Sequence, residues 1–508
     1  MVVVVVVLAG CGSTVSVESA GSVGAEGLGP ASTGTHAAAF KASSPANGPG
    51  GPASSGSDAG STGSPAGALS AALGGAGAAI LAGGGSGVSV ASGPIQLGIF
   101  YTSGLTALAT AFGAGESGAA LNPKAGSEAV ISYINQHGGL AGHQISPVWA
   151  SIDAFSSESF TAQDQAACAT FTEDNHVFAV VASTTTHSDF VSCLAQHGTP
   201  LIAAYGGLTP SSDLTQDPLL VVDNAPSAER GAAAVGSGLI GEGWSQARWN
   251  AASSCVTATK PRIGIVFDGD EPFMHAIYSK ILAPMFAQAG TPVTDTFFLN
   301  ATGSPVDILA EYSQQMPNVV LKFATDCVDH VLMFLTNAVP GYTFTDDADE
   351  QGYTPRYGWD STDLPYIVKS ETSGVAQQFH GSLGVGWQPN NDVSESQFDA
   401  TASAPGARCL AVFGAAGMPS TSQAASWTDL QICDSLLFVP AALAGITGPL
   451  TTAVLAQQID NLGGGYSPSL SYRAYFSGTH RDGAVALRTF AFVDSCSCLR
   501  YTSGIQRF

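Results

Sequence analysis

Charge is scarce in this chain of 508 residues, and positive charge is scarcer: 11% of residues are charged, with 16 Lys and Arg against 39 Asp and Glu and a formal net charge of −23. A surface of that sign repels phosphate backbones and anionic headgroups, which argues against nucleic acid as a partner. No Cys-x-x-Cys pair occurs and the His residues are scattered, so a structural zinc site lacks its usual spacing. His187, Ser188 and Asp189 stand side by side, but a triad needs convergence in space, and no Gly-x-Ser-x-Gly elbow follows a strand. Glycine-rich stretches such as "SAALGGAG" lack the Lys-Ser/Thr of a phosphate loop. The run Asp346-Asp347-Ala348-Asp349-Glu350 lacks the glycine and spacing of a calcium loop and reads as a solvated loop. The expectation is a protein that is not an enzyme, with no catalytic residues, no cofactor and no metal.

Long apolar runs are also missing. The uncharged stretch from Ala66 to Gly85 is built of Ala and Gly, too poor in Leu, Ile and Phe for a membrane span. Residues 12–94 as a whole are mostly Gly, Ala, Ser, Thr and Pro, a composition that cannot bury enough apolar surface to offset the entropy of ordering. They read as a disordered tether with a root-mean-square reach of about 50 Å.

What is present begins with "MVVVVVVLAGC", an apolar run ending in Leu8-Ala9-Gly10-Cys11. It resembles the lipobox of a bacterial lipoprotein, with residues 1–11 as the signal segment and the Cys11 thiol as the acceptor of the lipid. The resemblance implies a protein outside the cytoplasm, anchored to the cell membrane by a lipid. Eight cysteines remain, an even number that suits an oxidising compartment. Local pairing would join Cys168 to Cys193, Cys409 to Cys433 and Cys255 to Cys327. Spacing alone does not fix connectivity. Cys496 and Cys498 would be left to close on each other in a strained ring, to stay reduced, or to exchange partners.

From residue 95 onward strand-like and helix-like runs alternate. "IQLGIFY" is followed by the helical run "KAGSEAVISYINQHG", the strand "HQISPVWASID", the helix "FTAQDQAACATFTED", the strand "VFAVVAS", the helix "SDFVSCLAQHG" and the strand "PLIAAYG". A second series opens with "RIGIVFD", then the helix "FMHAIYSKILAPMFAQAG", the strand "PVTDTFFL", the helix "DILAEYSQQMPNVVLKFATDC" and the strands "DHVLMFLT" and "PRYGWDS". Alternation without hairpin signals calls for parallel sheets covered by helices on both faces. Two series suggest two lobes, and in open α/β sheets a ligand sits beyond the carboxyl ends of the strands.

The first strand, the "YTSG" loop, the helix ending "INQHGGLAGHQISPVW" with Asp153 after it, and the "VVAST" and "PLIAAYG" strands together resemble a type I periplasmic binding protein of the branched-chain amino acid group of ABC-transporter solute receptors. The resemblance covers residues 95 to about 500. It implies an α/β fold of two Rossmann-like lobes joined by three crossovers, near Asp223-Ala225, Gln388-Asn391 and Tyr472-Gly478, with the ligand cleft between them. Lobe 1 would comprise 95–224 and 391–472, and lobe 2 would comprise 225–390 and 478–500. A first-lobe disulfide recurs in related proteins at the place of Cys168 and Cys193.

The resemblance also implies site residues. The loop Ser183-Thr184-Thr185-Thr186 would offer hydroxyls to a ligand carboxylate, with capping of the helix near Asp189 as its other use. Tyr205-Gly206 would bring backbone close to the ligand. Asp360 would face the ligand ammonium as a charge-assisted partner, with turn formation before Ser361-Thr362 as the competing role. Phe273, Trp359, Trp387 and Trp427 are candidate pocket walls, though a tryptophan also serves as core packing. The family captures a small amino acid-like ligand by cleft closure and hands it to an ABC permease in the membrane. A surface sensor or partner-binding protein on the same fold is the alternative.

Overall fold

The computed structural model describes residues 88–104, 122–184, 186–204, 209–300, 303–372 and 376–508. Cys11, the tether up to residue 87, Thr185, Tyr205 and Gly206 lie outside the described residues.

After a short strand β1 (Ser89–Val90), five parallel strands build the first sheet: β2 (Ile95–Ser103), β3 (Ile145–Asp153), β4 (Ala179–Ala182), β5 (Leu201–Ala203) and β6 (Leu220–Val222), in the order β3-β2-β4-β5-β6. Their apolar residues are buried on both faces, as in Leu97, Ile99, Phe100, Val180, Val181 and Ile202. The helix Pro123–Gln136 starts at Asn122, whose side chain accepts from the Ala125 amide at 3.1 Å. It stops where Gly138 and Gly139 take φ of +105° and +69°. A Cβ on Gly139 would stand 2.0 Å from the His143 carbonyl oxygen, so the pivot into β3 requires glycine. Asn135 then fixes the start of β3, accepting from Ile145 N at 2.7 Å and donating to Ile145 O at 3.1 Å.

The second sheet contains β7 (Ile263–Phe267), β8 (Val293–Phe298), β9 (His330–Phe334), β10 (Arg356–Asp360) and β11 (Leu383–Gly386), all parallel. Another short strand, β12 (Leu450–Thr451), pairs with β1. β13 (Ala486–Val493) and β14 (Cys498–Tyr501) then extend the second sheet antiparallel beside β11, and β15 (Gln506–Arg507) pairs with the start of β13. The alternation of strand and helix seen in the sequence therefore yields two α/β sheets, the first parallel throughout and the second parallel from β8 to β11. One expectation fails: Asp346 to Glu350 form the last turns of the helix Ala338–Glu350 and are not a loop. The buried row Val339, Phe344, Thr345 and Ala348 holds that helix on the sheet.

The connections set how the sheets face each other. The chain leaves the carboxyl end of β6 at Asp223-Asn224 and enters the helix Ala228–Gly241, which packs on β10 and β11. It leaves the carboxyl end of β11 at Trp387-Gln388, and the later helices Ala404–Ala415 and Gln423–Ala442 pack on Pro123–Gln136 of the first lobe. A third passage is pinned at Asp482-Ala484, where Gly483 N donates to Val222 O at 2.7 Å. Arg230 holds this passage through Asp482 Oδ2 at 2.6 Å and Ala484 O at 3.0 Å. Because two passages run from one carboxyl edge to the other, those edges meet at the hinge.

Four disulfides are formed: Cys168–Cys193, Cys255–Cys327, Cys409–Cys433 and Cys496–Cys498. The first three tie separate elements together. In the loop-entropy account, the 72-residue separation of Cys255–Cys327 is worth about 4 kcal/mol. The two-residue separation of Cys496–Cys498 is worth less than half of that, about 1.5 kcal/mol. Among the described residues, no helix is long and apolar enough to cross a membrane.

Candidate functional site

The carboxyl edge of the first sheet is lined with hydroxyls. At the end of β2, Thr102 Oγ1 lies 2.6 Å from Thr184 Oγ1, in the loop after β4, and both side chains are buried. Ser183 N is anchored on Phe100 O at 3.0 Å, while Ser183 Oγ is buried and has no hydrogen-bond partner among the described residues. Thr186 is half-buried beside them. The helix Ser188–Gln196 has His187 at its N-cap, and the His187 side chain makes no cap hydrogen bond. His187 Nδ1 instead meets Asp164 Oδ2 at 2.6 Å and its ring packs on Phe160.

The facing edge of the second sheet carries carboxyls. Asp268 follows β7, and its Oδ2 accepts from Thr336 N at 2.5 Å and Thr336 Oγ1 at 2.7 Å. Its Oδ1 has no partner among the described residues, and burial, with Glu271 nearby, pushes the group up to about 7. Asp360 ends β10. Its Oδ1 caps the turn Ser361–Asp363, accepting from Thr362 N at 2.6 Å and Thr362 Oγ1 at 2.5 Å, and its buried Oδ2 has no partner among the described residues. Asp363 accepts from Asp360 N at 2.6 Å and from Leu335 N at 2.8 Å. Burial raises both carboxyls of this pair, and for Asp363 the neighbouring Asp360 adds to the effect. Asp392 accepts from Ser361 Oγ at 2.6 Å and Tyr501 OH at 3.2 Å, and burial raises it as well.

The hinge closes this polar row. Ser361 Oγ accepts from Trp387 N at 2.7 Å and Gln388 N at 3.0 Å. Gln388 Nε2 donates to Asn224 Oδ1 at 3.3 Å, and Asn391 Nδ2 donates to Gln388 Oε1 at 2.7 Å, so two passages are tied to each other. Asp223 is fully buried, neither carboxyl oxygen has a partner among the described residues, and desolvation together with Asp434 raises it.

Sequence reasoning singled out Ser183, Thr184, Thr186 and Asp360, and the structure places all four at the carboxyl edges of the two sheets. The aromatic candidates divide. Phe273 is half-buried on the helix Pro272–Ile277, just beyond β7. Trp359 is fully buried between Tyr357 and Phe379, with ring centroids 5.3 and 5.8 Å away. Trp387 is buried at the hinge against Phe508, and Trp427 is buried in the helix Gln423–Ala442. Asp268, Asp363 and Asp392 were not singled out. The available signal was an Asp immediately after "IGIVF", the same arrangement as Asp360 after "RYGW". Among the described residues no group of three His, Cys, Asp or Glu side chains is placed to hold a metal ion.

No protein-family model matches this chain, and no curated protein matches its sequence. Solved structures do match it. A branched-chain amino acid ABC transporter protein from Thermus thermophilus with bound valine aligns over 82% of this chain and 98% of its own, with a TM-score of 0.58 and 13% identity. A solute-binding protein from Rhodopseudomonas palustris in complex with p-hydroxybenzoic acid covers 82% and 97%, with a TM-score of 0.55 and 13% identity. A branched-chain amino acid substrate-binding protein from Streptococcus pneumoniae in complex with isoleucine covers 82% and 100%, at 0.53 and 14%. At such identities the likeness is one of fold: this chain has the two-lobed α/β fold of ABC-transporter substrate-binding proteins.

Proposed function

We propose that this protein is an extracytoplasmic solute receptor that captures a small polar ligand, an amino acid or related metabolite, for an ABC-type importer. The observation that carries the reading is the pairing of unlike edges at the hinge. On one side stand the hydroxyls of Ser183, Thr184 and Thr186, and on the other the buried carboxyl row with an unpartnered Asp360 Oδ2. Hydroxyls suit a ligand carboxylate, and a desolvated carboxyl suits an ammonium, which would ionise it and form a charge-assisted pair. Tyr205, Gly206 and Thr185 would complete the first-lobe side, and Phe273 one wall. No bond is broken in this account. A ligand that touches both lobes favours the closed form by its differential affinity for that form. The lipid at Cys11 and the membrane permease as partner belong to the same proposal and rest on the sequence.

Melting the protein in the presence of amino acids, small amides and aromatic acids tests the reading. The true class of ligand at a hundredfold excess over Kd adds about 2.7 kcal/mol. For a chain of this size that is roughly 3 °C in Tm. A folded, ligand-free sample that no member of the panel shifts would count against solute capture and for a sensor that binds a macromolecular partner.

A further inference from the structure

We propose that Cys496–Cys498 is a thiol–disulfide exchange site for polypeptides that carry a pair of thiols, separate from the solute cleft and independent of the reading given for it. The bond lies in the turn 494–497 between β13 and β14, at the edge of the second sheet. Its two cysteines are separated by a single residue, and Val493 is already paired with Cys498 across the hairpin. It therefore joins nothing that backbone hydrogen bonds do not already join, and of the four disulfides it closes the shortest loop. Ser497 between them sits at φ +49°, in the left-handed region that a serine rarely adopts. A bond with so little structural return, kept at a strained turn, points to chemistry.

The two sulfurs are unequally accessible. Cys496 is exposed, whereas Cys498 is buried, and each of the other three disulfides has at least one cysteine 3% exposed or less. Asp494, two residues before Cys496, meets the His380 ring nitrogen Nδ1 at 2.8 Å. His380 in turn lines a groove of about 420 Å³ with Trp249, Asn250, Thr354 and Gln377. The Trp249 ring is fixed by its Nε1–H donating to Thr354 O at 3.1 Å. An aromatic wall with amide and hydroxyl groups around it, continuous with the turn through His380 and Asp494, suits an extended peptide segment bearing the thiols.

The chemistry balances without a further reagent. A thiolate of the partner attacks the exposed Cys496 Sγ, the Cys496–Cys498 bond breaks, and Cys498 leaves as a thiolate and takes up a proton. The partner's second thiolate attacks its own sulfur in the mixed disulfide and expels Cys496, which is protonated in turn. The partner dithiol loses two electrons and two protons, and the Cys496–Cys498 pair gains both.

The test uses the full, oxidised chain and a short reduced Cys-x-x-Cys peptide as probe, with alkylation of free thiols mapped by mass spectrometry. The expected result is one probe disulfide formed per chain, with Cys496 and Cys498 alkylated at least tenfold faster than the six cysteines of the other three disulfides. Cys496→Ser and Cys498→Ser variants that melt like the parent should each abolish probe oxidation. The proposal is overturned if the Cys496–Cys498 bond outlasts the other three, if the probe stays reduced, or if either variant oxidises it at the parent's rate. The alkylation map of the parent chain decides the matter even where a variant misfolds.

Discussion

Replacing Trp359 by alanine is expected to destabilise the protein by about 3–5 kcal/mol, as for other large aromatic truncations in packed cores. Trp359 is fully buried and stacked nearly parallel to Phe379, with an interplanar angle of 15°. It also closes over Gly341, where an added Cβ would already stand 3.6 Å from its ring. Removing the indole leaves a cavity that the surrounding strand and helices cannot fill by small shifts, because interiors pack like crystals. Chemical denaturation should show the midpoint falling without a change in ligand affinity for the molecules that remain folded. Trp359→Phe should recover part of the loss. A Trp359→Ala variant with parental stability and weakened ligand binding would show that the indole lines the pocket, the other role the sequence leaves open to it, and does not pack the core.

The second large effect is on pH. Burial raises Asp268 to about 7 and Asp217 and Asp434 to about 6, against an ordinary value of 3.8. It raises Asp223, Asp360, Asp363 and Asp392 as well. For a carboxyl whose pKa is higher in the folded state, the native protein holds more protons than the unfolded chain between the two values. Stability contributed by such groups is complete below about pH 4 and is lost as pH rises towards 7. Asp329 runs the other way: burial pushes it up, but hydrogen bonds from His330 and the Arg262 and Trp249 amides hold it below the ordinary value. Its contribution is therefore lost only at pH below that window. At about 1.4 kcal/mol per unit for each group, and allowing for water entry, the fold is expected to lose about 3 kcal/mol between pH 5 and pH 8. Calorimetry should then find Tm roughly 3–4 °C higher at pH 5. A Tm that rises between pH 5 and pH 8 would mean that the carboxyl row is ionised and paired in the native protein.

Much of the fold was legible because its signals are local. The Gly138-Gly139 pivot announces itself as a dipeptide, and β2, β4 and β7 are short apolar runs bounded by polar residues. The helix Ala338–Glu350 was missed in part for an equally physical reason. Four acidic residues crowd its last turns, where the helix dipole disfavours negative charge, so local chemistry argued for a loop while Phe344 and Ala348 held the helix in place. The helix Gln423–Ala442 is buried almost all round and shows no polar face for periodicity to detect. β13 and β14 return antiparallel beside a parallel sheet, with β13 pairing to residues of β11 more than a hundred positions away, which no short pattern encodes.

The candidate site follows the same division. Its first-lobe side was readable as one run of hydroxyl residues after "VVA". Its second-lobe side is assembled from Asp268, Asp360, Asp363 and Asp392, which come from two strand ends, those of β7 and β10, and from the hinge after β11. Asp360 shows why a single role could not be assigned from sequence: one oxygen caps the turn Ser361–Asp363 while the other is left unpartnered.

Isothermal titration calorimetry of the ligand found by melting, against the parent chain and against Ser183→Ala and Asp360→Asn, tests the central claim that the solute bridges both edges. The asparagine keeps an acceptor for Thr362 and removes only the charge. The account predicts one site per chain and an affinity lowered about tenfold or more in each variant, since one alters a hydroxyl of the first lobe and the other a charged partner on the second. A ligand that binds both variants as tightly as the parent would contradict it.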